Sequence, residues 1–545
     1  MIVILQRYIF RELFRAFLLT VVALTAMLGF GGGVKDLLMS QGITADQMVK
    51  LLIYLLPVVL TYALPVAALF STTITYGRFS SDNEINACRA SGINIHKLLI
   101  PAFVLSIIVT VLTFGLENFV IPDLAERTGR LVKGNLQSMA EFQLRRRGYL
   151  AHMGRALHAD RVDGSVLPKR QPDGTMSRGH IQLSQVTFLE QQDDVPVRYG
   201  TARSALIFFD YDPDGLRIDF CFNKVRMFDE EQGQMVQFDF YTPDKSLRPP
   251  DGLMDQRRVK FLPLPMLLDI ARDPMTFKPM TESVAALRGQ LREAVASAMQ
   301  MDEFRREGEI RLLDADHRYA VTADELTLRP DGQLLLQGNV KVVRNGPSGV
   351  QSLLARSGSI LAVDRGPGSP PAAQVRLRDV RIQDTASADP NMVVERPDIE
   401  LENLQTAPEA LSEAEEYTDD QLLDPDFPLD FGDMYLANVR DQAIENRARF
   451  FNQSMAEINT RLAYSSSALV LLILGAGLGI IFRGGHFVSA FGLSFIPMLA
   501  VVVMIVTGKQ ISRAGDPVIG SIAIWSGLAL VIVSDVVILG KFLKR

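Results

Sequence analysis

The sequence predicts an α+β membrane protein in which six helical spans, three at each end, flank a large β-rich insertion. Three observations predict this class. Long apolar runs occur only at the two ends of the 545-residue chain. Basic residues are distributed unevenly among the connections between these runs, and parts of the central region alternate apolar and polar residues. The overall composition, 48% apolar and 22% charged, hides this division because it averages over both kinds of region.

Six segments are apolar and long enough to cross, as helices, a bilayer core about 30 Å thick. The first contains no charge and is longer than the apolar core of a secretion signal, so we interpret it as a retained span. The fourth and fifth are separated by Arg483 and a glycine pair, which predicts a tight helical hairpin. Asp535 lies near one end of the sixth, where a charge costs least. The spans are Ala16–Val34, Leu51–Thr75, Leu98–Leu116, Leu462–Phe482, Gly484–Gly508 and Pro517–Leu539.

The basic residues in the connections predict that both termini are cytoplasmic and that the inserted region is periplasmic. In this orientation ten basic residues near the spans face the cytoplasm, and only four lie in short outer loops. The cytoplasmic set is Arg7, Arg11, Arg15, Arg78, Arg89, Lys97, Arg483, Lys541, Lys544 and Arg545. The outer set is Lys35, Lys50, Lys509 and Arg513.

The inserted region divides into segments of different periodicity. Residues 123–265 contain several runs of period two, which are typical of strands that bury one face. Residues 266–308 have helical spacing, and residues 309–405 form a second β segment with a strand, an Asp331-Gly332 turn and a strand. Residues 406–456 are predicted to be an acidic linker and a lead-in helix. All these inserted segments lie between residues 1–122, which contain the first three spans, and residues 457–545, which contain the last three.

Residues 409–433 contain ten acidic side chains and no basic ones. Such a run is typical of a solvated linker or a mobile loop. A calcium-binding loop is the alternative interpretation, but the acidic residues do not follow EF-hand spacing.

The sequence contains no recognisable catalytic motif. No phosphate-binding Gly-x-x-x-x-Gly-Lys-Ser/Thr loop, His-Glu-x-x-His zinc site or Gly-x-Ser-x-Gly elbow occurs. The six histidines are scattered, and Cys88 and Cys221 fall in segments predicted to lie on opposite sides of the membrane. With a net charge of −6, the chain does not have the composition of a nucleic-acid binder. We therefore expect neither an enzyme active site nor a cofactor.

The loop between the second and third spans has the most specific local pattern. Ser81 and Glu84 have capping-box spacing, which predicts a helix that starts at Asp82. Gly92 would end it in a left-handed conformation. A short rigid helix on the cytoplasmic side suits transfer of force from a soluble partner. A simple interfacial connector is the other interpretation.

With these motifs in place, the chain resembles the LptF/LptG (YjgP/YjgQ) permeases of lipopolysaccharide export. The resemblance covers roughly half of the chain, at its two ends. Its N-terminal part runs from Arg7-Tyr8-Ile9 to about Asn135. The main features of this part are Leu56-Pro57, Leu64-Pro65, the run Gly77 to Glu84, Arg89 to Ile93, Asn118 and Pro122. Its C-terminal part consists of Glu457, Arg461-Leu462-Ala463, Gly475 to Gly479, Pro517 and Trp525.

The resemblance implies a permease subunit of an ABC transporter in the cell inner membrane, with a periplasmic β-jellyroll-like domain inserted between two sets of three helices. It implies pairing with a second LptF/LptG-type subunit and docking of a cytoplasmic, LptB-like ATPase dimer. Such a transporter extracts lipopolysaccharide or a related glycolipid and passes it to LptC/LptA-like periplasmic bridge proteins. ATP hydrolysis would belong to the separate subunit, consistent with the missing phosphate-binding loop. The coupling helix, residues 80–92, would present Asp82, Glu84, Arg89 and Gly92.

The resemblance also implies candidates for substrate contact at the outer rim. Lys35 comes shortly after three consecutive glycines, and in the G-type subunit a basic residue near this place contacts the lipid head. The alternative is an ordinary interfacial lysine paired with Asp36. Further rim candidates are Lys50, Lys509 and Arg513. Structural roles are expected for Pro57 and Pro65, as hinges or packing kinks, and for Pro122, Arg461 and Trp525.

The chain is longer than is usual for the family, and the excess lies in the inserted region. Residues 323–363 are similar to the short-strand pattern of the bridge proteins, so the hypothesis is an added or substituted bridge module within residues 309–405. Two alternatives remain: a mechanotransmitting ABC permease that moves no lipid, and an envelope-assembly scaffold without an ATPase. A hydrophobic groove in the β domain favours lipid transport, and a filled core favours force transmission.

Overall fold

The computed structural model describes most of the chain in two compact units. Unit 1 comprises residues 1–268 and 453–545, and unit 2 comprises residues 269–452. The described residues are 2–32, 45–125, 127, 136–152, 155–166, 178–192, 195–212, 215–229, 234–243, 258–314, 316–346, 349–384, 393–406, 409–429, 431–481 and 487–542.

Within the described residues, six helices are long and apolar enough to cross a membrane, in agreement with the predicted six spans. Together with two antiparallel sheets they confirm the α+β membrane class. The helices extend beyond the apolar runs and include charged residues at their ends. In chain order the first three are α1 (Ile2–Gly32), α2 (Ala45–Ser81) and, after a short helix α3 (Glu84–Ala90), α4 (Ile95–Gly115). The last three are α10 (Met434–Ile481), α11 (Phe487–Ala514) and α12 (Pro517–Val537).

The fourth span is the C-terminal part of one continuous helix, α10. The segment predicted as a lead-in helix belongs to α10, which begins at Met434 and reaches Ile481 without a break. The predicted hairpin turn around Arg483 lies outside the described residues. Asp535 lies in the last turn of α12, at a helix end as predicted.

Helices α2 and α10 approach each other closely along two glycines. A Cβ atom at Gly475 would lie 2.5 Å from the Thr72 hydroxyl oxygen, and one at Gly479 would lie 2.9 Å from the Gly77 nitrogen. Near this contact the Ser80 hydroxyl donates to the Ile480 carbonyl oxygen at 2.9 Å. Small residues four positions apart allow such backbone contact between membrane helices.

The first sheet, in unit 1, is a six-stranded antiparallel meander in chain order. The preceding helix α5 (Leu136–Arg147) contributes Leu144 to its apolar core. The strands are β1 (Tyr149–His152), β2 (Arg155–Val166), β3 (Gly179–Gln192), β4 (Val195–Asp212), β5 (Gly215–Asp229) and β6 (Gln234–Tyr241). The predicted period-two runs therefore form strands.

The first sheet curls around its apolar face. In a flat sheet, β3 and β6 would be separated by three strand spacings, about 14 Å. The rings of Phe188 on β3 and Tyr241 on β6 are nevertheless only 6.2 Å apart, and Phe188 stacks on Phe222 of β5 at 4.6 Å. The curled face leaves an apolar cleft with about 510 Å³ of empty volume, lined among others by Leu157 and Phe220.

The second sheet, in unit 2, closes on itself. The segment before it contains α6 (Leu264–Arg272) and α7 (Lys278–Glu307). Six of its strands pair in the cyclic order β10-β11-β12-β13-β7-β8, and β9 pairs with β10 outside this ring. The β13–β7 junction is a single residue pair, Gln405 with Leu313. The strands are β7 (Ile310–Leu313), β8 (Arg318–Thr322), β9 (Glu325–Leu328), β10 (Leu334–Gly346), β11 (Gly349–Val363), β12 (Ala372–Asp384) and β13 (Val393–Gln405).

Apolar side chains fill the interior of this ring. Leu336, Val342 and Leu377 are completely buried there, and Met301 of α7 joins the same core. The Asp331-Gly332 turn is confirmed, because Gly332 has a left-handed φ of 79° between β9 and β10. The sheet is tied to α7 by a bidentate ion pair, with two nitrogens of Arg292 each 2.7 Å from an oxygen of Asp364. The Arg292 guanidinium holds the pKa of the Asp364 carboxyl below its usual value.

The acidic segment is folded, contrary to the expectation of a solvated linker or mobile loop. It contains helices α8 (Glu409–Glu415) and α9 (Asp419–Leu422), and Thr418 with Gln421 forms a capping box. Arg288 of α7 binds the Asp419 carboxylate at 2.7 Å. Basic side chains from other segments thus compensate the acidic run, which has none of its own.

Candidate functional site

The best candidate site is a charged cavity at the end of the helix bundle where residues 123–456 are inserted, here called the insertion end. It begins where α4 passes into a π-helical turn, Leu116–Val120. This turn carries Glu117 and the buried Asn118, whose amide nitrogen donates to the Phe114 carbonyl oxygen at 2.9 Å. Single π-helical turns occur often at functional sites because they re-aim side chains within a helix.

Helix α10 supplies two buried charges to the cavity. Glu457 and Arg461 are one helical turn apart, with 3.4 Å between their side-chain oxygen and nitrogen, and they are 5% and 4% exposed. Arg461 also donates to the Asn118 side-chain oxygen at 3.1 Å and to the Lys260 carbonyl oxygen at 2.8 Å. It therefore joins α10 to the π-helical turn and to the 3-10 turn Val259–Phe261.

Helix α11 and the 3-10 turn add further cations. The Lys509 ammonium is 2.6 Å from a carboxylate oxygen of Glu457, and an Arg513 nitrogen is 3.8 Å from the same oxygen. Burial lowers the pKa of the Lys260 ammonium, and the nearby charge of Lys509 lowers it further. Glu457 is thus the shared counter-ion of Arg461, Lys509 and Arg513.

The cavity lining is amphipathic. Its empty volume, which includes space open to solvent, is about 860 Å³. Its apolar part includes Val58 and Ile505, and its polar part includes Lys260, Arg461 and Lys509. Along α11, Ile505 precedes Lys509 by about one turn towards the middle of the span. The charges therefore line the mouth of the cavity at the insertion end, and the apolar side chains lie deeper in the bundle.

The structure brings together two of the four predicted rim residues. Lys509 and Arg513 both lie beside Glu457, and the ion pairs with Glu457 were not predicted. Lys35 lies outside the described residues. Lys50 is in the first turns of α2, but its side chain lies outside the described part of the chain.

The residues predicted to be structural have identifiable positions. Pro57 and Pro65 both lie inside the continuous helix α2, and the Thr61 hydroxyl donates to the Pro57 carbonyl oxygen at 2.9 Å. Pro122 is buried in the helical residues after the π-helical turn. The Trp525 indole donates to the Asn459 side-chain oxygen at 3.0 Å and thereby joins α12 to α10.

The short helix at the opposite end of the bundle begins later than predicted. Ser81 still belongs to α2, and its hydroxyl donates to the Arg78 carbonyl oxygen, so the predicted capping box at Ser81 is wrong. Helix α3 starts at Glu84, after the left-handed Asn83, which makes no side-chain cap. Asp82 therefore lies in the turn between the two helices.

The predicted end of α3 is confirmed. Gly92 is left-handed with φ 76°, its amide donates to the Arg89 carbonyl oxygen, and the Ile93 amide donates to the Cys88 carbonyl oxygen. This is the hydrogen-bond pattern of a Schellman motif. Ile85 packs into the core of the bundle while Glu84 is exposed, so α3 presents a firmly anchored polar face.

Sequence reasoning missed Glu117 and Lys260 as residues that line the cavity, and the central role of Glu457. The spacing of Glu457 and Arg461 signals an ion pair within one helix. Contacts with Asn118, Lys260 and Lys509 join residues that are distant in the chain, and local spacing contains no signal for them.

The fold and the cavity define a multi-pass membrane protein with a charged, amphipathic cavity at one end of its helix bundle. Residues 7–540 match the family model described as "Lipopolysaccharide export system permease LptF/LptG". Because this match covers nearly the whole chain, the protein belongs to the LptF/LptG family, which is a family of transporter permeases and not of enzymes. No curated protein was found to match the chain.

Proposed function

We propose that this permease subunit extracts lipopolysaccharide or a related glycolipid from the inner membrane and delivers it to a periplasmic β bridge. Family membership supports a role in lipopolysaccharide export. The observation that carries the finer proposal is the amphipathic cavity, whose apolar depth suits acyl chains and whose cationic mouth suits an anionic head.

The ion pairs define how a lipid head would bind. Lys509 is already neutralised by Glu457, so a lipid phosphate must compete with this carboxylate. A phosphate carries more charge and more acceptor oxygens than a carboxylate, which favours the exchange. Arg513 is farther from Glu457 and more exposed than Lys509, so it is the better first contact. Lys35 and Lys50 remain proposed contacts on the same rim.

The first sheet is proposed to bind the lipid after it leaves the cavity. Its cleft is lined by apolar side chains, including Phe188, Phe222 and Tyr241, which suit contact with acyl chains. The second sheet has a filled interior. The proposed lipid path therefore uses residues 149–241, and the similarity of residues 323–363 to bridge proteins does not extend to an open groove in the described strands.

The proposed assembly follows from the resemblance and the charge distribution. Both termini and α3 face the cytoplasm, and residues 123–456 face the periplasm. A second LptF/LptG-type subunit completes the permease, a cytoplasmic LptB-like ATPase dimer supplies the energy, and LptC/LptA-like proteins receive the lipid.

Photo-crosslinking tests the lipid path. The complex with its ATPase is reconstituted with lipopolysaccharide after p-benzoylphenylalanine replaces Tyr62 in the cavity, Tyr241 in the first sheet or Tyr8 near the N-terminus. We expect a lipid adduct at position 62 without ATP, an adduct at position 241 only with ATP, and none at position 8. Tyr62 and Tyr8 are similarly exposed, 50% and 47%, so position 8 is a matched control. Absence of an adduct at position 62 would refute lipid binding in the cavity.

One observation favours the mechanotransmitting alternative. The filled interior of the second sheet is suited to transmitting force and unsuited to holding a lipid. Under this alternative the ATPase would co-purify, but no lipid adduct would form at position 62 or 241. An envelope-assembly scaffold would show neither co-purification of an ATPase nor a lipid adduct.

Replacing Glu84 with lysine is expected to reduce ATPase co-purification at least tenfold. Glu84 is exposed on α3, which Ile85 anchors to the bundle. A lysine in a surface that accepts a carboxylate would leave a desolvated, unpaired charge. The measurement is the ratio of ATPase to permease after affinity purification in mild detergent. Asp123→Lys, an equal charge reversal at the insertion end, is the control and should retain the ATPase. If both variants retain it equally, Glu84 has no docking role.

A further inference from the structure

Unit 2 contains an acidic cleft between the C-terminal half of α7 and helix α8. It has about 1050 Å³ of empty volume and opens to solvent. Carboxylates stand on both walls, Glu303 on α7 and Glu409 with Glu413 on α8. The two α8 residues are one turn apart and share a face. Nothing in the lipid path proposed above uses this cleft.

A buried amide faces this cleft without a partner. Gln300 is 4% exposed, yet among the described residues neither its side-chain oxygen nor its side-chain nitrogen makes a hydrogen bond. Buried amides are nearly always satisfied, because an unpaired donor and acceptor lose their bonds to water without compensation. Gln300 therefore presents an acceptor oxygen and a donor NH2 group to whatever occupies the cleft.

The charge of the cleft selects a cationic occupant. Five carboxylates and two guanidinium groups line it. Arg311 is held by Glu307 and Glu309, at 2.5 and 2.9 Å. Within the described part of the chain, Glu409 and Glu413 form no ion pair. The negative charge on the α8 wall is thus left for a ligand.

The remaining lining fits a long alkyl chain that ends in a cation. Apolar side chains, including Met299 and Ala410, lie beside the carboxylates. Lysine and arginine pack their methylene groups on such surfaces while the charged head reaches a polar partner. A free polyamine satisfies only the oxygen of Gln300, because an ammonium group donates and does not accept. A peptide also offers carbonyl oxygens, which accept from the Gln300 nitrogen.

We propose that the acidic cleft binds an extended basic peptide segment of a partner protein. A lysine or arginine side chain lies along the apolar wall with its charge between Glu303 and the two α8 carboxylates. The Gln300 amide forms hydrogen bonds with the same segment. Helices α7 and α8 therefore form a docking module, which gives part of the inserted region a role besides lipid passage.

Fluorescence anisotropy tests the proposal with the full-length protein in detergent. The probe is a fluorescein-labelled hexapeptide of alternating lysine and alanine, and the comparison peptide has glutamate in place of lysine. Two variants act on the cleft: Gln300→Met, which keeps the size of the side chain, and the double change Glu409→Gln with Glu413→Gln. The double change Glu325→Gln with Glu402→Gln is the matched control, because it removes the same charge from exposed positions on β9 and β13.

We expect the lysine peptide to bind and the glutamate peptide not to bind. Each cleft variant should weaken binding at least tenfold, and the control less than twofold. Gln300→Met should not lower the midpoint of thermal unfolding, because the amide it removes has no structural partner. No binding by the unchanged protein, or affinity within twofold for Gln300→Met, would overturn the proposal. Spermidine that competes as well as unlabelled peptide would overturn the assignment to a peptide.

Discussion

Replacing Glu457 with glutamine is expected to lower the free energy of unfolding of the helix bundle by about 3–5 kcal/mol. Glu457 lies within ion-pair distance of Arg461, Lys509 and Arg513. Glutamine removes the carboxylate with which these three cations form ion pairs, and Arg461 is almost completely buried. Thermal unfolding of the purified protein in detergent measures the loss.

A double substitution separates this charge effect from a change of shape. Lys509→Met removes the cation nearest to Glu457 while keeping an unbranched side chain. The double variant Glu457→Gln with Lys509→Met should therefore be more stable than Glu457→Gln alone, with a coupling free energy above about 1 kcal/mol. Purely additive effects of the two changes would contradict a shared ion pair.

The ion pair between Glu457 and Lys509 is also relevant to the proposed transport step. If lipid phosphate displaces Glu457 from Lys509, the carboxylate keeps Arg461 neutralised while Lys509 binds the lipid. Glu457 would then act as a positioning residue that holds the cations at the cavity mouth until the lipid arrives.

Replacing Gly479 with leucine is expected to destabilise the bundle by about 1–3 kcal/mol or more. Even a Cβ atom at this position would lie 2.9 Å from backbone atoms of Gly77 and Thr73, and backbone has little freedom to yield. Helices α2 and α10 must then separate, which also threatens the neighbouring Ser80–Ile480 hydrogen bond. The measurements are the yield of folded protein and the midpoint of thermal unfolding.

Gly29→Leu is the control for this substitution. Gly29 also lies inside a membrane-spanning helix, but a Cβ atom there has no neighbour within 4 Å. Leucine forms helix more readily than glycine by about 1 kcal/mol, so this control should be at least as stable as the unchanged protein. Equal stability of the two variants would show that α2 and α10 do not meet at Gly479.

The Gly479 contact also connects the bundle to the proposed ATPase contact. Helix α2 ends at Ser81, and α3 begins three residues later at Glu84. A displacement of α2 from α10 would therefore shift α3 directly. We expect Gly479→Leu protein that still folds to bind the ATPase more weakly, by the co-purification ratio used for Glu84→Lys.

Two sequence patterns with capping-box spacing show when local sequence is insufficient to predict the start of a helix. Thr418 and Gln421 form one, because the chain enters α9 from an extended residue. Ser81 and Glu84 have the same type of spacing but form none, because Ser81 remains within the last turn of α2. A capping pattern requires a non-helical residue at its first position, and that depends on where the preceding helix ends.

The sequence by itself determined the features that depend on a few neighbouring residues or on local periodicity. These are the six apolar spans, the strands of period two and the left-handed glycines Gly92 and Gly332. Only the tertiary structure decided the curl of the first sheet, the closure of the second, and the gathering of Asn118, Lys260 and Lys509 around Glu457 and Arg461. The physical reason is distance along the chain: apolar length and backbone conformation are local, whereas an ion pair between remote segments exists only once packing has brought them together.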